Sequence, residues 1–141
     1  MEVPLQIYLA EDDEDDAFLF QIMIKEHFPD SRISVFVNGK ELMEALRSEG
    51  VAPTFIFLDI NMPVMNGIEA LTAIRSSPAT RTIPTFILSS SDFGRDVEQS
   101  YLSGANAYFV KPNQLADFSR MIDNFKSYWN LAGMKQPLPA R

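Results

Sequence analysis

Short apolar runs alternate along this chain with stretches in which apolar residues recur every three or four positions. "LQIYLA" (5–10), "ISVFV" (33–37), "TFIFLD" (54–59), "PTFILS" (84–89) and "AYFV" (107–110) read as strands. Between and after them lie helical patterns. In "DDAFLFQIMIKEHF" (15–28), Ala17, Phe20, Ile24 and Phe28 fall on one stripe, with Phe18 and Ile22 on a second stripe beside it. "GKELMEALRSEG" (39–50) has Leu42, Met43 and Leu46 in phase and Gly50 as a stop signal. "GIEALTAIRS" (67–76), "DFGRDVEQSYLSG" (92–104) and "QLADFSRMIDNFKSYWNL" (114–131) complete five strand–helix pairs.

Several strands are apolar throughout instead of alternating, which is how strands covered on both faces read. Strands and helices joined by short links imply a parallel sheet with helices on both sides, an α/β fold. The chain of 141 residues suits a single domain. The segment "GMKQPLPAR" (133–141) reads as a loose tail, which leaves 1–132 as the domain.

Composition mostly excludes. No apolar run approaches the length of a membrane span, and the N-terminus lacks a signal-peptide pattern, so a cytoplasmic protein is expected. With no cysteine there is no disulfide, thiolate metal site or cysteine nucleophile. The single His27 cannot build a histidine-rich site and is expected at the surface near a helix end. A net charge of −7 without a basic run argues against nucleic-acid binding.

In an open parallel sheet, ligands gather at the carboxyl ends of the strands. Past strand 1 come Glu11 and Asp12; past strand 3, Asp59, Ile60 and Asn61; past strand 4, Ser89, Ser90 and Ser91; past strand 5, Lys111 and Pro112. Strand 2 offers only Asn38 and Gly39. Three carboxylates at one edge repel, and at least one pKa must rise. A hard divalent cation relieves that conflict, and oxygen-only ligands favour Mg²⁺, Mn²⁺ or Ca²⁺. A hydroxyl and an ammonium add a hydrogen-bond donor and a point charge for an anion. Together they describe a site for a phosphoryl group, with a carboxylate able to act as its nucleophile. Alone, each signal reads more simply: an acid after a strand is usually a cap, "KP" a turn and a serine run a loop.

The stretches "IYLAEDDEDDA", "FIFLDINMPVMNGIEAL", "IPTFILSSSD" and "GANAYFVKP" closely resemble the receiver domain of bacterial response regulators, as found in stand-alone, chemotaxis-regulator-like proteins. The order agrees, and so do the intervals of 30 residues from Asp59 to Ser89 and 52 from Asp59 to Lys111. The resemblance implies a doubly wound, flavodoxin-like (βα)5 sandwich with sheet order 2-1-3-4-5. It implies that Asp59 is the phosphoacceptor, that Asp12 binds Mg²⁺ directly, that Glu11 acts largely through metal-bound water, and that Asn61 supplies a backbone carbonyl. Lys111 would pair with Asp59 at rest and with the phosphoryl group afterwards. Ser89 fills the hydroxyl switch position, and Tyr108 the aromatic position that responds to it. Asn61 and Ser91 occupy the positions that tune phosphoryl lifetime. Pro63 and Gly67 would shape the loop into helix 3, and Pro112 follows Lys111 through a bond that is usually cis in the family.

The implied partners are a sensor histidine kinase or histidine phosphotransfer protein, and a downstream protein bound through the helix 4–strand 5–helix 5 face. With no output domain following, the chain reads as a stand-alone receiver, either an effector or a phosphoryl shuttle. Phe93, Tyr128 and Trp129 could line a partner or homodimer surface, or sit partly in the core. Two other classes stay open: a pseudo-receiver that is never phosphorylated, and a metal-dependent phosphohydrolase. The latter typically needs a second acid two residues past the first, where "DIN" has Asn61. Of the six acids at 11–16, the resemblance places Glu11 and Asp12 in the site. Asp13, Glu14, Asp15 and Asp16 are expected in the first turn of helix 1, where acids favour the positive helix end.

Overall fold

The computed structural model describes residues 4–48, 50 and 52–132, so the expected tail at 133–141 lies outside the described residues. Ten elements alternate: β1 (Gln6–Ala10), α1 (Glu14–His27), β2 (Arg32–Phe36), α2 (Gly39–Arg47), β3 (Phe55–Leu58), α3 (Gly67–Ser76), β4 (Thr85–Ser89), α4 (Gly94–Leu102), β5 (Ala107–Val110) and α5 (Leu115–Leu131). The strands form a single parallel sheet in the order β2-β1-β3-β4-β5. This is the doubly wound, flavodoxin-like sandwich expected from the pattern and the resemblance.

Position in the sheet explains the composition of each strand. Every residue of β3 and β4 is buried, because both faces of the sheet centre are covered. The edge strands β2 and β5 carry no fully buried residue. Strand alternation then sorts the run "FIFL" by face. Phe55 and Phe57 point into the layer under α1 and α5, with Phe20, Ile24, Phe86, Phe125 and Trp129. Ile56 and Leu58 point into the opposite layer under α2 and α3, with Leu42, Leu71, Ile74 and Ile87. The first layer is largely aromatic and packs edge to face, as in Phe86–Phe125 at 5.0 Å and Phe55–Trp129 at 4.8 Å between ring centroids. Truncating one of these buried rings to alanine would cost about 3–5 kcal/mol.

The tertiary structure decides between the two stripes of α1. Ala17, Phe20 and Ile24 are buried, while Phe18 is 63% and Ile22 44% exposed. Helix ends follow side-chain chemistry. Asp13 caps α1 by accepting from the Asp16 amide at 2.9 Å, and Asn38 caps α2 by accepting from Glu41 at 2.9 Å. Asn66 and Glu69 form a reciprocal capping box on α3. Helices α4 and α5 have Phe93 and Gln114 at their N-cap positions and no side-chain cap bond. Helix α2 stops at Arg47, before the expected signal at Gly50, because the Ser48 amide already turns back to Glu44 and Ala45.

The structure corrects one expectation about a single residue and decides between two alternatives for three others. His27 does end α1, but it is not a surface residue: its side chain is only 16% exposed, 3.3 Å from Ser119 Oγ and 3.6 Å from Asp123 on α5. Helix α5 covers that end of α1 and leaves the ring in the seam. The aromatic trio divides: Trp129 is buried against Phe55, while Phe93 and Tyr128 are exposed.

Candidate functional site

The sheet ladder brings the strand-end residues to one level. Ala10 pairs with Leu58, and Ser89 with Val110, so the residues that follow emerge together. Their amides extend the ladder: Glu11 N–H donates to Phe36 O (2.8 Å), Asp59 N–H to Ala10 O (3.0 Å) and Lys111 N–H to Ser89 O (2.8 Å). Each side chain thus starts from backbone that the neighbouring strand holds.

Glu11, Asp12 and Asp59 each offer a carboxylate oxygen, and these oxygens lie within 4.8 Å of one another. Glu11 and Asp59 are buried and Asp12 is exposed. The Lys111 ammonium stands among acids, 2.5 Å from Glu11 Oε1, 2.9 Å from Asp16 Oδ2 and 3.2 Å from Asp59 Oδ2. Burial and the charge of Asp59 push the Glu11 carboxyl up to about 7, against the opposing pull of Lys111. For Lys111, burial works to lower the pKa, but hydrogen bonds to Glu11 and Asp16 and the charge of Asp59 outweigh it and hold the ammonium protonated. Two buried acids and a third at the mouth, compensated by one ammonium, form an oxygen-donor set suited to a hard divalent cation. Glu11, Asp12 and Asp59 could hold such an ion.

Ser89 is fully buried at the same edge, its Oγ accepting from the Ser91 amide at 3.3 Å. Ser91 in turn donates its hydroxyl to Asp96 Oδ2 at 2.5 Å, in the first turn of α4. Its carbonyl accepts from the Tyr108 hydroxyl at 2.7 Å, and the Tyr108 amide donates to Tyr101 Oη at 3.1 Å. Tyr108 is therefore turned inward over the β4–α4 loop. Burial raises its pKa, with the charges of Asp96 and Asp59 adding to the shift. The far end of α4 is clamped separately: Arg75 donates to Gly104 O at 2.9 Å and to Ile83 O at 2.8 Å.

The β3–α3 loop closes the other side. Gly67 N–H donates to Ile60 O at 2.9 Å, and a β-carbon at Gly67 would collide with the Asp59 carbonyl oxygen. Gly67 thus sets how closely α3 approaches the Asp59 backbone. Pro63 accepts from the Met65 amide at 2.7 Å across Val64, whose φ of 68° is rare for a β-branched residue. Asn61 is exposed at the mouth. Pro112 follows Lys111 through a trans bond, since no described peptide is cis. Strand 2 adds no side chain to the site: Asn38 caps α2, and the Gly39 amide donates to Met65 O at 2.9 Å.

Sequence reasoning missed Asp16, Asp96 and Val64. Asp16 lies inside a run of acids that reads as helix-start chemistry, and only Asp13 is used as the cap. Nothing local marks Asp96 as a partner of Ser91. No residue at Val64 advertises positive φ, as glycine or asparagine would.

The family model described as the response regulator receiver domain matches residues 7–123. The response regulator Rcp1 of Synechocystis sp. is 31% identical, with 89% of each chain covered. A crystal structure of the Mn²⁺-bound form of Rcp1 superposes with a TM-score of 0.83, at 31% identity, over 97% of this chain and 100% of that one. The phosphorylated cyanobacterial phytochrome response regulator RcpA gives a TM-score of 0.84 at 29% identity, over 92% and 96%. Among the described residues, no helix is long and apolar enough to cross a membrane.

Proposed function

The chain belongs to the response regulator receiver domains of two-component signalling, and from that footing we propose that Asp59 is its phosphoacceptor. The observation that carries this reading is the strand-end cluster: Asp59 beside Glu11 and Asp12, with Lys111 Nζ at 3.2 Å from its carboxylate. The donor would be a phosphohistidine on a sensor kinase or phosphotransfer protein. A carboxylate oxygen of Asp59 attacks phosphorus, the phosphorus–nitrogen bond breaks, and the leaving imidazole nitrogen takes up a proton. Glu11, Asp12, Asp59 and the Asn61 carbonyl would hold Mg²⁺, which supplies positive charge to offset that on the transferring oxygens.

The rest of the work falls to this chain's own side chains. Lys111 releases Asp59 and pairs with a phosphoryl oxygen, and the Ser89 hydroxyl donates to another. Ser89 Oγ already accepts from the Ser91 amide, so re-aiming the hydroxyl toward the phosphoryl group would pull on the loop that Tyr108 caps. That local change biases the face of α4, β5 and α5, where Tyr101, Leu102 and Val110 are exposed to a protein partner. Asn61 and Ser91 border the path of an attacking water and would set how long the acyl phosphate lasts. The chain acts on itself and turns over no separate substrate. It would work in the cytoplasm, with 1–132 as the functional domain.

Intact-mass measurement after incubation with acetyl phosphate and Mg²⁺ tests the assignment. One phosphoryl group should appear and should vanish in Asp59→Asn. Labelling that persists in that variant would sink it. Asp12→Ala should lose most Mg²⁺ binding in a titration followed by amide NMR shifts.

A further inference from the structure

Among the described acids, three bond the Lys111 ammonium, and they are not equivalent. Glu11 and Asp59 belong to the cluster whose oxygens converge, whereas Asp16 does not. A divalent ion would draw on the two carboxylates that Lys111 also uses. The Lys111 side chain is only 11% exposed, so water cannot readily replace what it loses. A buried ammonium stripped of its partners is strongly disfavoured. Asp16 is the contact that would remain. Its position is prepared locally: the Asp13 cap holds the Asp16 amide at 2.9 Å, which fixes where that residue leaves the first turn of α1. Its side chain is 45% exposed, so it is open to solvent on one side and bonded at 2.9 Å on the other.

We propose that Asp16 is a positioning residue for Lys111, holding the ammonium at the edge of the site while Glu11 and Asp59 turn from it to a divalent cation. The inference rests on the phosphoacceptor reading for its purpose, though not for its geometry. Without Asp16 the ammonium leans wholly on Glu11 and Asp59, and the ion must displace it from both. Loss of Asp16 therefore weakens Mg²⁺ binding by more than the loss of one negative charge, and slows phosphoryl acceptance with it.

The test compares Asp16→Asn with Asp15→Asn in the full chain. Asp15 is exposed in the same helical turn, so its variant removes the same charge and serves as the control. Mg²⁺ titration by amide NMR should show a dissociation constant about five-fold higher in Asp16→Asn than in Asp15→Asn, a modest factor because the carboxylate is half in solvent. The Lys111 side-chain ammonium resonance should shift in Asp16→Asn alone, and acetyl phosphate labelling should slow in parallel with Mg²⁺ affinity. Equal Mg²⁺ constants in the two variants would overturn the proposal, even if Asp16→Asn also lowered urea stability, since that would mark a structural role. A wild-type chain that binds Mg²⁺ yet takes no label would overturn the phosphoacceptor reading and leave Asp16 to be judged by the titration. A wild-type chain that binds no Mg²⁺ would overturn both.

Discussion

The loop from β3 to α3 is held chiefly by its backbone, whereas the loop from β4 to α4 is held chiefly by side chains. In the first, Gly67 bonds Ile60, Met65 bonds Pro63, Gly39 reaches across to Met65, and the Asn66–Glu69 box closes the helix start. In the second, α4 begins without a cap, and the loop depends on hydroxyls: Ser89 accepts from the Ser91 amide, Ser91 donates to Asp96, and Tyr108 donates to the Ser91 carbonyl. Backbone bonds tie the loop to itself and to the start of α2, and cannot be redirected by a rotamer change. Hydroxyl bonds can be redirected by a single side-chain rotation, at little energetic cost. The same carboxyl edge thus carries a rigid platform for Asp59 and a loop that is easily redirected beside it. That contrast suits a site in which one side reacts and the other reports.

The contrast can be broken most severely at Gly67. A methyl group there meets the backbone of Asp59, which cannot yield as a side chain would. Gly67→Ala should lose about 3 kcal/mol or more in urea unfolding, and a near-neutral result would show that the platform is not rigid. Next comes Asp96→Asn, which replaces the charged acceptor of the Ser91 hydroxyl. It should cost about 1–2 kcal/mol and speed hydrogen exchange at the Ser91 and Phe93 amides while leaving α3 protected. Equal loosening in α3 would mean that the two loops are coupled.

Two smaller changes sharpen the comparison from the opposite direction. Val64 carries strain on the rigid side, so Val64→Gly should stabilise by about 1 kcal/mol net of the added chain entropy. A lower midpoint in thermal unfolding would mean that the exposed valine contributes more than its backbone costs. Phe93 sits at the N-cap of α4 with extended backbone and a 68% exposed ring. Phe93→Ser supplies the cap that α1, α2 and α3 already have. It should add about 0.5–1 kcal/mol and slow exchange in the first turn of α4. No change there would show that the Ser91–Asp96 bond already does the work of a cap.

Much of this molecule was legible from local pattern. The five apolar runs became the five strands, and Glu11, Asp12, Asp59, Ser89 and Lys111 do stand at one edge. The strand-end argument needs only topology, which alternation and connection length supply. Individual neighbours were another matter. The run "EDDEDD" shows acids in a helix start but does not show that Asp16 leans toward Lys111 while Asp15 faces water. His27 looked like a surface residue because nothing near it in the chain foretells α5 folding across it.

The chain by itself determined the elements, their layering and the chemistry available at the strand ends. These follow from the two-residue period of strands, the 3.6-residue period of helices and the one-sided burial each enforces. The tertiary structure decided which stripe of α1 was buried and which acids share Lys111. It also turned Tyr108 inward over Ser91. Those outcomes depend on contacts between distant residues, such as Glu11 with Lys111, 100 positions apart. Such distances are set by the packing of the whole sheet and its helices, and no local period encodes them.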